Sequence, residues 1–91
     1  MKLVWDTQKR NKNLQKHGLA FEDADQVFMR PTLEFLDDRF EYGEDRWIAI
    51  GMLGVQCVAL VYTEQGEALR VISMRKATKE EQNAYEKAVL F

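Results

Sequence analysis

Ninety-one residues, 46% hydrophobic and 31% charged, make a single domain (1–91) with a small core, because a chain this short buries only about 60–70% of its unfolded surface. A net charge of −2 argues against a strong non-specific grip on nucleic acid, and one cysteine rules out an internal disulfide. The most apolar stretches, Trp47 to Val55 and Cys57 to Tyr62, fall far short of the ~20 residues that span a bilayer. No basic segment followed by an apolar run opens the chain, so the expected location is the cytoplasm, with no membrane partner.

Charge is unevenly spread. Residues 1–18 carry five basic side chains against one acidic, residues 19–45 carry two against nine, and residues 46–91 carry six against five. The two ends of this gradient imply two different surfaces.

In chain order, Leu3-Val4-Trp5 reads as a short strand that stops at Asp6, a good helix N-cap. Thr7 to His17 reads as a helix ended by Gly18. Its one large apolar residue is Leu14, so it lies on the surface and presents Lys9, Arg10, Lys12 and Lys16 as an electrostatic contact. Phe21, Ala24, Val27 and Phe28 recur at helical spacing, and Arg30-Pro31 closes this second helix.

From Thr32 the period becomes two. Strands are expected over Leu33 to Leu36, Arg46 to Met52, Val55 to Thr63 and Ala68 to Met74, with a charged connection over 37–45 and turns at Leu53-Gly54 and 64–67. Thr78 and Glu81 form a capping box for a last helix, which sets Ala84, Tyr85, Ala88 and Val89 on one side. The order strand, two helices, four strands, helix predicts an α+β fold: an antiparallel sheet with two N-terminal helices and one C-terminal helix.

Arg70 to Lys76 and Tyr42 to Arg46 carry the chemistry. Arginine offers a permanently charged planar fork that fits phosphate oxygens. Arg46, Arg70 and Arg75 beside the carboxylate of Glu44 therefore point to a phosphodiester, and the rival reading is solvated strand ends. RNA supplies its own nucleophile, the ribose 2′-hydroxyl, so the protein needs a base, an acid and cations. His17 can exchange a proton near neutrality, or serve as a cationic cap at its helix end. Arg70 and Arg75 are five apart, which sends them to opposite faces of a regular strand. They share a face only if the strand bulges or ends near Ser73. One His and one Cys cannot close a zinc site, 37–45 lacks EF-hand spacing, and Gly51 and Gly54 form no phosphate loop, so no metal or cofactor is expected.

Taken in order, Trp5-Asp6, Asn13, Lys16-His17-Gly18, Phe21-Glu22-Asp23-Ala24, Val27-Phe28, Pro31, Gly43-Glu44, Arg46, Gly51, Val61-Tyr62-Thr63-Glu64, Gly66-Glu67, Arg70-Val71-Ile72-Ser73, Arg75-Lys76-Ala77 and Tyr85 resemble the BrnT-type toxins of bacterial type II toxin–antitoxin pairs. The resemblance implies a RelE-like fold and metal-independent endoribonuclease activity that slows translation and growth. It also implies a BrnA-type antitoxin that covers the toxin and supplies the contact with DNA. Carried over by position, the catalytic candidates are Glu44, Arg46, Arg70 and Arg75, with Lys16 and His17 nearby in the motif order; the expected RNA contacts are Lys12, Lys16, His17 and Lys76. Three positions depart from the family pattern: Ala20 where a capping Ser is common, Arg30 where an acid precedes the proline, and Met74 in place of a smaller residue. A non-catalytic protein-binding module and a degenerate toxin that still holds its antitoxin remain alternatives, and a homodimer through a sheet edge or the last helix stays open.

Overall fold

The structure, a computed structural model, describes residues 1–90. Strand β1 (Lys2–Val4) leads to Asp6, whose side chain accepts from the Lys9 amide at 3.0 Å and starts helix α1 (Thr7–His17). Gly18 ends α1 at φ 70°, a left-handed conformation that glycine adopts without the Cβ penalty of other residues. A 3₁₀ turn (Phe21–Asp23), with no side-chain cap at Ala20, runs into α2 (Ala24–Phe28), which is shorter than the spacing predicts.

Four strands follow: β2 (Leu33–Asp37), β3 (Arg46–Leu53), β4 (Gln56–Gln65) and β5 (Ala68–Lys76). Two-residue turns at Gly54-Val55 and Gly66-Glu67 join the last three, each opening on a glycine at positive φ. The first turn lies one residue later than expected and leaves Val55 fully exposed. Helix α3 (Lys79–Tyr85) starts at the expected capping box and continues as a wider π turn over Glu86–Leu90. Of the expected apolar side, Tyr85 is buried and Val89 packs beside it, while Ala84 and Ala88 stay exposed.

The sheet order is β1-β5-β4-β3-β2. β2 to β5 form an antiparallel meander, but β1 pairs parallel with β5. The sheet is therefore mixed, which corrects the all-antiparallel expectation. Hairpin spacing reports only sequential neighbours. The two helices carry the chain from β1 at one edge to β2 at the other, and the meander then returns β5 beside β1.

Each face has its own core. On one, Leu19, Phe21, Ala24 and Val27 pack on Val58, Leu60, Tyr62, Val71 and Met74. On the other, Tyr85, Val89 and Ala77 pack on Ile48, Ile50, Cys57, Ala59 and Val61. Phe21, Ile50, Leu60 and Met74 are fully buried, each contributing about 1.5–3 kcal/mol through burial. The inward residue of α1 is polar. Asn13 donates from Nδ2 to Met74 O (2.8 Å) and Leu19 O (3.1 Å), and its Oδ1 accepts from the Met74 amide (3.1 Å). Pairing with β1 ends at Val4–Arg70, so this side chain takes over as β5's outer partner.

Candidate active site

Register decides which side chains meet. β3 and β4 pair Trp47 with Tyr62, so Arg46, one residue earlier, takes the opposite face beside Thr63. On β5, Val71 pairs with Tyr62 but Ser73 pairs with Val61, leaving Ile72 as an extra residue. This β-bulge restores Arg70 to the face of Arg75: Arg70 lies opposite Thr63 and Arg75 opposite Ala59. Asp37 of β2 is paired with Arg46 and completes a row of Asp37, Arg46, Thr63 and Arg70 across four strands. The row lies on the α3 face of the sheet.

The 38–45 loop folds back over this row. Thr63 Oγ1 donates to Asp45 O at 2.6 Å and holds the loop's end. Glu44 then accepts from Arg70 Nη2 at 2.8 and 2.7 Å and from Arg46 Nε at 3.1 Å. Those hydrogen bonds, from Arg46 first and then Arg70, outweigh desolvation and hold the Glu44 carboxyl below its ordinary range. The Arg46 guanidinium also lies 4.1 Å from the centre of the Tyr42 ring, a cation–π contact that fixes its plane.

The loop's other anchor is Asp37. Arg39 donates to it from Nε (2.8 Å) and Nη2 (2.9 Å), and Tyr42 Oη donates at 3.1 Å. Led by the Arg39 hydrogen bonds, these hold its carboxyl at about 2. The acidic run hid this role, because adjacent aspartates in a loop normally stay solvated; only Asp38 does so here.

The eight candidate residues separate into three places. Glu44, Arg46 and Arg70 converge. Arg75 shares their face but lies about 13 Å along the sheet, four residues of β4 away, in a two-pronged pair with Glu81 at 2.7 and 2.9 Å. Lys12, Lys16 and His17 are exposed on α1, which packs with the other core, and Lys76 follows the parity of Met74 toward that same side. The structure does not bring these four to the arginines. Among the described residues, no three His, Cys, Asp or Glu side chains form a metal-holding group, and no helix is long and apolar enough to cross a membrane.

Residues 5–81, from the end of β1 into α3 and including the whole arginine row, match the family model described as ribonuclease toxin, BrnT, of type II toxin-antitoxin system. The chain belongs to the BrnT family. No individual curated protein matches it. Membership makes it a ribonuclease toxin whose type II pair includes an antitoxin. For a BrnT toxin, the chemical meaning of the arginine row follows: two guanidinium groups from separate strands close on one small anion, which here is a carboxylate of the chain itself.

Proposed function

We propose that this BrnT chain is a metal-independent endoribonuclease with a RelE-like fold that cuts RNA by 2′-hydroxyl transesterification, slows translation and growth, and is neutralised in the cytoplasm by a BrnA-type antitoxin. The observation that carries the chemistry is the convergence of Arg46 and Arg70 on Glu44. A phosphate oxygen can take the position of the Glu44 carboxylate and gain both guanidinium groups, which then stabilise the charge that grows on the phosphoryl oxygens. Displaced from its two cations, Glu44 becomes a stronger base beside the phosphate that has taken its place.

In that scheme the 2′-oxygen bonds to phosphorus as the bond to the 5′-oxygen breaks. Glu44 takes the 2′-proton and water gives one to the departing oxygen, leaving a 2′,3′-cyclic phosphate and a 5′-hydroxyl. Arg75, farther along the same face, meets a neighbouring phosphate. Lys12, Lys16, His17 and Lys76 would contact RNA only where it passes around the sheet edge, so their part in binding is secondary.

The test is incubation of the antitoxin-free chain with defined RNA in EDTA, beside an Arg46→Ala/Arg70→Ala variant of confirmed fold. Cleavage by the parent alone, leaving cyclic phosphate ends, is the expected result. Equal cleavage by both would remove this site from the reaction, and cleavage restored only by added metal would refute the metal-independent scheme.

A further inference from the structure

A second feature shares the arginine face. Leu33, Phe35 and Ile50 floor a hollow of about 400 Å³, with Arg39 and Arg75 at its sides and Thr78, Glu80, Glu81 and Ala84 as the α3 wall. That volume is within the range of small-molecule sites, and the floor is apolar with charged groups only at its margin. Phe35 is paired with Ile48, two residues along β2 from the Asp37–Arg46 pair and on the same face, an offset of about 7 Å. Although it faces the sheet's second core, 41% of its surface stays open. Arg39 spends Nε and Nη2 on Asp37, its side chain is 58% exposed, and its Nη1 makes no hydrogen bond among the described residues.

We propose that this hollow receives one nucleobase of the RNA, stacked on Phe35, while Arg39 Nη1 holds the adjoining phosphate. The proposal rests on the ribonuclease reading above and adds to it the residues that seat the base. Three observations select this occupant. An open aromatic ring stands beside the arginine pair, at the reach from a phosphate to a base. The free guanidinium donors lie on the loop side of the hollow. The opposite wall carries Glu80, which repels phosphate and so directs the uncharged base inward, whereas Glu81 beside it is neutralised by Arg75. An aromatic platform with flanking cations is the usual way a protein grips single-stranded RNA without depending on a duplex.

The experiment measures fluorescence anisotropy of the antitoxin-free chain with short, labelled 2′-O-methyl RNA, which cannot be cut. A series carries an abasic sugar at each position in turn. The expected result is that Phe35→Ala and one abasic position each weaken binding about 5- to 100-fold, and that the two losses do not add. Phe35→Leu, which keeps apolar volume without a ring, behaves like the alanine variant, while Phe35→Trp binds at least as tightly as the parent. Melting curves verify that each variant folds. RNA binding that ignores both Phe35 and the missing base overturns this inference and leaves the ribonuclease reading in place. No binding of any RNA by the parent overturns both. Intact RNA binding with a loss of antitoxin affinity in Phe35→Ala assigns the hollow to the protein partner and also overturns it.

Discussion

Arg70 and Arg75 stand five residues apart in one strand and still occupy one face of the sheet, because Ile72 is an unpaired residue between the Tyr62–Val71 and Val61–Ser73 pairs. The bulge gives β5 two arginines on the side where substrate would lie, but with different neighbours. Arg70 meets Glu44 on the loop side of the site, whereas Arg75 is locked to Glu81 at the start of α3. Replacing each by alanine should separate their roles. Arg70→Ala is expected to lower kcat/KM by about 10²–10³-fold with stability changed by less than about 0.5 kcal/mol. Arg75→Ala leaves the part-buried Glu81 unpaired and costs about 1–2 kcal/mol, with the smaller effect on kcat. Urea unfolding and cleavage kinetics on the same preparations give both numbers. Equal kinetic losses without a stability cost for Arg75→Ala would return Arg75 to the reacting phosphate.

Glu44 links the site to pH. In the free protein Arg46 and Arg70 lower its pKa, so it stays ionised below the ordinary carboxylate range. Substrate phosphate competes for those arginines, which raises the pKa of Glu44 in the complex. The acidic limb of kcat/KM, which reports the free enzyme, should therefore lie at lower pH than the acidic limb of kcat. Glu44→Gln should lose about 10²–10⁴-fold in kcat and abolish the acidic limb. Two coincident limbs, or a limb that survives in Glu44→Gln, would show that another group takes the proton.

Much of this architecture is legible locally. Asp6 with Gly18 marks both ends of α1, Thr78 with Glu81 marks the start of α3, and two glycines mark the hairpin turns. Each is a short-range pattern with a single low-energy solution. The long-range facts are not written that way. The parallel pairing of β1 depends on where the whole meander ends, and Ile72 looks like any other β-branched strand residue. Arginine and carboxylate types pointed to Glu44, Arg46 and Arg70, but only register shows that they meet while Lys12, Lys16 and His17 lie across the sheet. Phe35 was hidden for the same reason, since its alternation reads as core and its exposure follows from how little of β2 α3 covers.

Asn13 shows the cost of that blindness most directly. Among eleven mostly polar residues of α1 it alone is buried, and its amide satisfies Met74 N–H, Met74 C=O and Leu19 C=O together. Alanine would leave these backbone groups without partners in a dry place, at about 1–3 kcal/mol for each group that water cannot reach. We expect Asn13→Ala to lose about 2–4 kcal/mol in urea unfolding, with Asn13→Asp nearly as poor because a carboxylate cannot donate to the two carbonyls. Cleavage per folded molecule should be unchanged, since α1 lies on the other face from Glu44. A loss under 1 kcal/mol would mean that water substitutes for the side chain.

Asp37 makes the loop that carries Glu44 and Arg39 sensitive to acid. The residue is 5% exposed and its carboxyl is held at about 2, against about 3.9 in an unfolded chain. Between those values the unfolded chain binds the proton more tightly. The stabilisation is therefore complete above about pH 4 and is lost as pH falls toward 2. The full shift corresponds to about 2.5 kcal/mol, and screening at the exposed Arg39 reduces this to about 1–2. The stability gap between the parent and Asp37→Asn should accordingly shrink by that amount from pH 5 to pH 2 in urea titrations. At neutral pH the same variant should also raise KM for RNA, because Arg39 and Tyr42 lose the anchor that sets the loop over Arg46. A gap that does not change with pH would mean that Asp37 holds the loop by shape rather than by charge.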